Sequence, residues 1–324
     1  MGSCLPQPPP KEGAFKRAGL KFSKHSIFKN PPLGAGGLFP FGAGGFVFIL
    51  YMPKLIIDAN RNRFGLNLKE LFAYRDLFLI LAYRDLRVRY AQTFLGVLWA
   101  VLQPLFTLVI FTVVFGRAVG VDKQIPGIPY ALYAACGMSA WTYFAFVMNQ
   151  AGNSIIGAQG MIQKIYFPRL IIPLSKAVVG LVDFGISLLL VLALMLWYGF
   201  VPSRDTIFLP FYILMTIVAA LAVGIWLSAL TIRYRDFQQI VPFMVQFGLY
   251  ATPIAYPATM VPEQYRWLFY LNPMAGVVEG FRWSLLGTAA PDPLAWLSFG
   301  FTMLLFLSGL FYFRQVERIM ADIV

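Results

Sequence analysis

Long apolar segments alternate with short polar breaks along most of the chain. Apolar stretches cover residues 94–119, 130–151, 174–200, 207–231, 237–255 and 294–313. Crossing a bilayer as a helix takes roughly 20 apolar residues, so six spans are predicted. Pro104 lies inside the first and predicts a kink or a local rearrangement. Residues 256–290, between the fifth and sixth spans, are interrupted by Pro257, Pro262 and Pro273. The apolar pieces there, about 265–271 and 274–286, are each too short to cross and predict a re-entrant or interfacial hairpin. Ahead of the first span, residues 67–90 have helical spacing. Leu68, Leu71, Phe72, Phe78 and Leu79 can share one face, and Lys69, Arg75 and Asp76 lie elsewhere. An amphipathic helix with basic residues lies in the membrane interface; a solvated charged face is the plainer alternative. The expected fold class is all-α integral membrane: six transmembrane helices, an N-terminal amphipathic interfacial helix and an outer re-entrant helical hairpin between spans five and six.

Composition agrees. The chain is 59% hydrophobic and 12% charged, with mean hydropathy +0.70, against about 25% charged residues in soluble domains. A net charge of +12 would suggest nucleic acid for a soluble protein; in a membrane chain its placement sets topology, and no nucleic-acid partner is expected. Of the 26 Lys and Arg, all but Arg117, Lys123, Arg204, Arg266 and Arg282 fall on one side of the six spans. By the positive-inside rule that side is cytoplasmic and holds both termini, and the hairpin is on the outer side. Residues 1–51 are Gly- and Pro-rich, with GAGG at 34–37 and again at 42–45, a composition that does not support a packed fold. From Met52 the chain reads like an ordinary protein start, so residues 1–51 are expected to be dispensable or a start-site artefact. The domain division is 1–66, a low-complexity extension expected to be disordered, and 67–324, the membrane domain.

The motifs of soluble catalysis are missing. There is no phosphate-binding loop, zinc-protease helix or nucleophile elbow. His25 is the only histidine, and Cys4 and Cys136 lack metal or disulfide spacing. No catalytic and no metal residues are assigned. Asp183, inside the third span, is a costly ionisable group that suits either a functional role or a polar contact between helices. The loop 153–173 allows a short helix near 158–167, ended before Pro168, that docks a partner, or a plain connection. Glu279 and Arg282, three apart, can pair on one helix face, as a local structural pair or as part of an outer gate. The 31 Phe, 16 Tyr and 7 Trp suit interfacial belts and also stacking on sugar rings.

Four stretches in order carry a family resemblance: YRDLRVRYAQTFLGVLWAVLQPLFTLVIFTVVFG (83–116), KIYFPRLIIPLSKAVVGLVDF (164–184), IRYRDFQQIVPFMVQFGLYATPIAYP (232–257) and YLNPMAGVVEGFRWSLLG (270–287). Over about 67–324 the chain resembles the ABC-2 type permeases that export O-antigen, capsular polysaccharide and teichoic acid. The resemblance implies a homodimer in the bacterial cytoplasmic (inner) membrane, with a separate ABC ATPase subunit that binds ATP and Mg²⁺, no cofactor on this chain, and undecaprenyl-linked polysaccharide as cargo. It implies a cytoplasmic gate helix at 68–90, joined to the first span by a loop containing Leu95 and Gly96, with Arg84, Arg87 and Arg89 drawing the anionic lipid head group. It implies ATPase coupling through Gln159, Met161, Lys164, Phe167 and Arg169, and an outer gate at Asn272, Pro273, Glu279 and Arg282. Among the aromatics, Trp99, Tyr143, Tyr250 and Tyr256 are candidates to line a pore, with a place in the interfacial belt or in packing as the alternative for each. The alternatives are an ABC-2 exporter of drugs or small lipids and, more remotely, a membrane-embedded lipid-sugar transferase, for which the chain lacks a cytoplasmic acidic pair to hold Mg²⁺.

Overall fold

The computed structural model describes residues 68–91 and 98–323. The N-terminal extension and the linker carrying Leu95 and Gly96 lie outside the described residues. Among the described residues every regular element is helical. Five helices are long and apolar enough to cross a membrane: Leu98–Ala118, Tyr130–Gly152, Ile171–Trp197, Arg204–Arg233 and Ala295–Glu317.

The first of these is α3 (Leu98–Phe111), continued by a wider π-helical segment (Thr112–Ala118). The helix runs through Pro104, and Thr107 and Thr112 satisfy their hydroxyls within it by donating to the carbonyls of Gln103 and Leu108. Helix α4 (Tyr130–Gly152) is the buried centre. Its Ala134, Ala140 and Ala151 are fully buried, small residues that let neighbouring backbones approach closely. Two single turns, α5 (Ser154–Gly157) and α6 (Gln159–Ile162), follow. Then come α7 (Ile171–Trp197) and α8 (Leu209–Arg233), the latter preceded by a 3₁₀ turn over Arg204–Phe208. Helices α4 and α7 pack side by side, α8 covers α4, and α12 (Ala295–Ile323) covers α8.

Two sequence expectations shift. Residues 67–90 form two helices, α1 (Leu68–Ala73) and α2 (Arg75–Tyr90). Leu71, Tyr74 and Leu77 pack inward against a second apolar cluster around Phe313, whereas Phe72 and Leu79 are exposed. The expected common face of Leu71, Phe72 and Leu79 is therefore split, because the helix packs on protein with the face centred on Leu81 and Asp85. The expected span at 237–255 is a helix, α9 (Phe237–Ala251), of only 15 residues. Pro253 follows it and Thr252 is extended, so the helix covers roughly 22 Å at 1.5 Å per residue. The segment 256–290 folds as two short helices, α10 (Glu263–Phe269) and α11 (Ala275–Leu286). A turn containing Pro273 joins them, and Gly287 ends α11 at φ 64°.

Candidate functional site

Two polar regions stand at opposite ends of the bundle. The first is built where α2 lies along α7. Lys176 Nζ donates to Asp85 Oδ2 at 2.6 Å, with both side chains largely buried. Further along both helices, Arg89 and the Tyr90 hydroxyl bind the Asp183 carboxylate, and the Arg89 guanidinium lies 4.4 Å from the centre of the Phe146 ring. Asp183, a costly charge in a long apolar helix, thus finds its cation on α2. Burial raises the Asp85 carboxyl, but the hydrogen bonds and charges of Lys176 and Arg84 outweigh it and hold the group below the usual carboxylate range.

The three arginines do different things. Arg84 pairs with its neighbour Asp85 at 2.8 Å, Arg89 is committed to Asp183, and Arg87 is exposed with no charged partner within the described residues. Arg89 and Asp183 also border a cavity of about 360 Å³ between α3, α4, α7 and α9, where Gln103, Thr107, Thr142, Asn149 and Ser187 supply amides and hydroxyls. Polar side chains gathered between apolar helices mark a path or a binding site.

The candidate aromatics do not gather there. Tyr143 borders the cavity but is buried, its ring tilted against Phe184 with centroids 5.0 Å apart, and donates to the Ala177 carbonyl at 3.2 Å. Trp99 and Tyr250 are exposed. Tyr256 donates back to the Tyr250 carbonyl at 3.2 Å.

The segment expected to form a helix over 158–167 makes only the α6 turn before opening out. The reason is its anchoring. Phe167 is buried in the second apolar cluster with Ile155, Ile232 and Phe313. Arg169 is fixed by Glu317, whose side chain accepts from the Arg169 backbone N–H at 3.0 Å and whose carbonyl accepts from the guanidinium at 2.6 Å. Gln159 and Met161 are partly buried, so Lys164, Ile165 and Tyr166 form the exposed tip. Tyr166 reaches Glu70 of α1 at 3.4 Å. Burial and that carboxylate raise its hydroxyl pKa.

The second polar region is at the other end of α4. Arg282 is 2% exposed. Its guanidinium donates to the Tyr133 carbonyl (3.2 Å) and hydroxyl (2.9 Å), and to the carbonyls of Pro253 (2.6 Å) and Ile254 (2.7 Å), with the Tyr133 ring centre 3.6 Å away. The expected Glu279–Arg282 pair is absent. Glu279 accepts from the Tyr270 hydroxyl at 2.8 Å instead, because the carbonyls left without donors where α9 stops claim the guanidinium. Gly137 makes room: a Cβ there would lie 2.8 Å from Arg282 Nη2. Asn272 ties the turn together, donating to Thr252 Oγ1 at 2.9 Å and accepting from the Met274 N–H at 2.9 Å. Among the described residues no cluster of His, Cys, Asp and Glu is arranged to hold a metal ion.

Residues 76–286 match the ABC-2 type transporter family. Among curated proteins, the chain is 30% identical over 254 residues to the O-antigen export system permease protein RfbA of Myxococcus xanthus, covering 77% of this chain and 96% of that one. It is 29% identical over 260 residues to RfbA of Klebsiella pneumoniae (80% and 97% covered). It is 24% identical over 242 residues to the polysialic acid transport protein KpsM of Escherichia coli (73% and 92% covered).

Proposed function

This chain belongs to the ABC-2 type transporter family, and on that premise we propose that it is the multi-pass permease subunit of an ATP-driven polysaccharide exporter. Relatives named for O-antigen export and polysialic acid transport, matched along nearly their whole length, support a glycan cargo. The cargo rides on an undecaprenyl diphosphate lipid across the bacterial cytoplasmic membrane. Two copies of the chain form the pore, and a separate ABC ATPase subunit binds ATP and Mg²⁺.

The observation that carries this reading is the basic helix α2 held by ion pairs on α7 at the mouth of a polar cavity. An inner gate for an anionic lipid head group needs both parts. Arg87 is exposed toward the interface and makes first contact; Arg89 becomes available when α2 moves off α7 and leaves Asp183. The tip Lys164–Tyr166 docks on the ATPase, and Phe167 and Arg169 carry the push into α8 and α12. Helix α9 with the extended residues after it completes a sixth crossing, and α10 and α11 dip back from the outer side as a hairpin whose base is fixed by Arg282. Both termini are cytoplasmic. The N-terminal helices α1 and α2 lie in the interface plane.

Deleting the chain from its source bacterium tests the reading. Surface polysaccharide should vanish, lipid-linked glycan should accumulate inside the cell, and re-expression should reverse both. Unchanged surface glycan refutes it.

A further inference from the structure

The head-group reading leaves unused the cavity of about 460 Å³ at the N-terminal end of α4. With 23 residues in α4, it stands roughly 35 Å from the docking segment. Two cations, Arg266 and Arg282, and two carboxylates, Glu279 and Asp292, line it, so its wall carries no net charge. Neighbours hold these groups in place. Arg266 lies 3.8 Å from Asp292, and its Nε donates to the Val261 carbonyl at 3.3 Å. Glu279 is fixed by Tyr270, and Arg282 by Tyr133. Thr259 and Thr288 add hydroxyls.

A wall without net charge exerts no net attraction on a phosphate or a metal cation. What it offers is fixed charged acceptors beside fixed charged donors, the partners that make strong hydrogen bonds to neutral hydroxyls. The volume lies within the range of small-molecule sites.

We propose that this cavity is a saccharide subsite that holds uncharged sugar residues through hydroxyl contacts to Glu279, Asp292 and Arg266. The inference rests on the polysaccharide reading and gives the glycan a second point of contact, at the far end of its route from the basic helix α2.

The test is saturation-transfer NMR on the full chain in detergent, without an ATPase. The probes are methyl glycosides of glucose, galactose, mannose and N-acetylglucosamine, with inorganic phosphate as competitor. At least one glycoside should receive saturation, and phosphate should not displace it. Glu279→Gln keeps an acceptor for Tyr270 and should weaken binding about tenfold, the loss of one charge-assisted hydrogen bond. Ala289→Trp, at an exposed position on the rim, should abolish binding without changing thermal unfolding. The subsite is refuted by an absence of saturation, by saturation that survives Ala289→Trp, or by displacement with phosphate. A chain that exports glycan but shows no saturation overturns the subsite alone. A chain that binds glycosides but exports no polysaccharide overturns the transport reading and keeps the subsite.

Discussion

Replacing Lys176 by Met and Asp85 by Asn, singly and together, measures how firmly α2 is held on α7. The pair is 2.6 Å apart, with side chains 17% and 15% exposed. Exposed pairs contribute about 0–1 kcal/mol, and breaking a fully buried pair costs about 3–5 kcal/mol; this partly shielded pair falls between them, at about 2 kcal/mol per single substitution. In Lys176→Met, Asp85 keeps only Arg84, which is 55% exposed and recovers little. Asp85→Asn leaves the ammonium without a carboxylate, with only the amides and hydroxyls of Gln150, Asn153, Ser154 and Ser175 lining the same cavity. The double variant removes both charges, so its loss should fall short of the sum of the singles by about 1–2 kcal/mol. Thermal unfolding in detergent reads this out at roughly 2–4 °C per kcal/mol for a domain of this size. The sign with pH is fixed. The Asp85 carboxyl is lowered from 3.8, so the pair's contribution is complete above that value and is lost as pH falls through the folded pKa. The gap between wild type and variants should then close in acid. Additivity within about 0.5 kcal/mol, or a gap that widens in acid, refutes the latch.

Arg282→Met should cost about 3–5 kcal/mol, since it strands the Pro253 and Ile254 carbonyls; Arg282→Lys should not restore it, because an ammonium cannot span the same acceptors, and thermal unfolding checks both. A Cβ at Gly280 would lie 1.8 Å from the Tyr212 ring, so Gly280→Ala should destabilise by about 3 kcal/mol and be partly rescued by Tyr212→Ala in the same assay. At the docking tip, Tyr166→Ala together with Ile165→Asp should abolish co-purification of the ATPase with little change in unfolding temperature, because both positions are exposed. Phe167→Ala, in the apolar cluster, should instead cost about 3–5 kcal/mol.

The long apolar runs predicted the ends of α4, α7 and α8 to within three residues, because bilayer thickness and helix rise leave little freedom in where such segments begin and end, whereas α12 continues ten residues past its apolar stretch to Ile323. The contacts between helices were less legible. Asp183 signalled that it needed a partner, yet its cation, Arg89, is distant in sequence and comes from a helix whose packed face could not be read from an apolar pattern with exposed residues on both sides. The i, i+3 spacing of Glu279 and Arg282 suggested a pair. It fails because a long guanidinium can reach past its own helix, and the carbonyls of Pro253 and Ile254, just past the end of α9, are the stronger claimants. The helix expected over 158–167 was overestimated, since Phe167 and Arg169 bind the bundle and pull the chain out of helical register.

The most direct test is ATP-driven transport into inside-out vesicles that contain this chain, its ABC ATPase and a radiolabelled undecaprenyl-linked glycan. The account predicts that label reaches the lumen only with ATP and with both subunits, and that Arg87→Gln, which leaves the α2–α7 ion pairs intact, slows its appearance. Label that enters without this chain, or a complete complex that hydrolyses ATP and leaves the glycan outside, contradicts it.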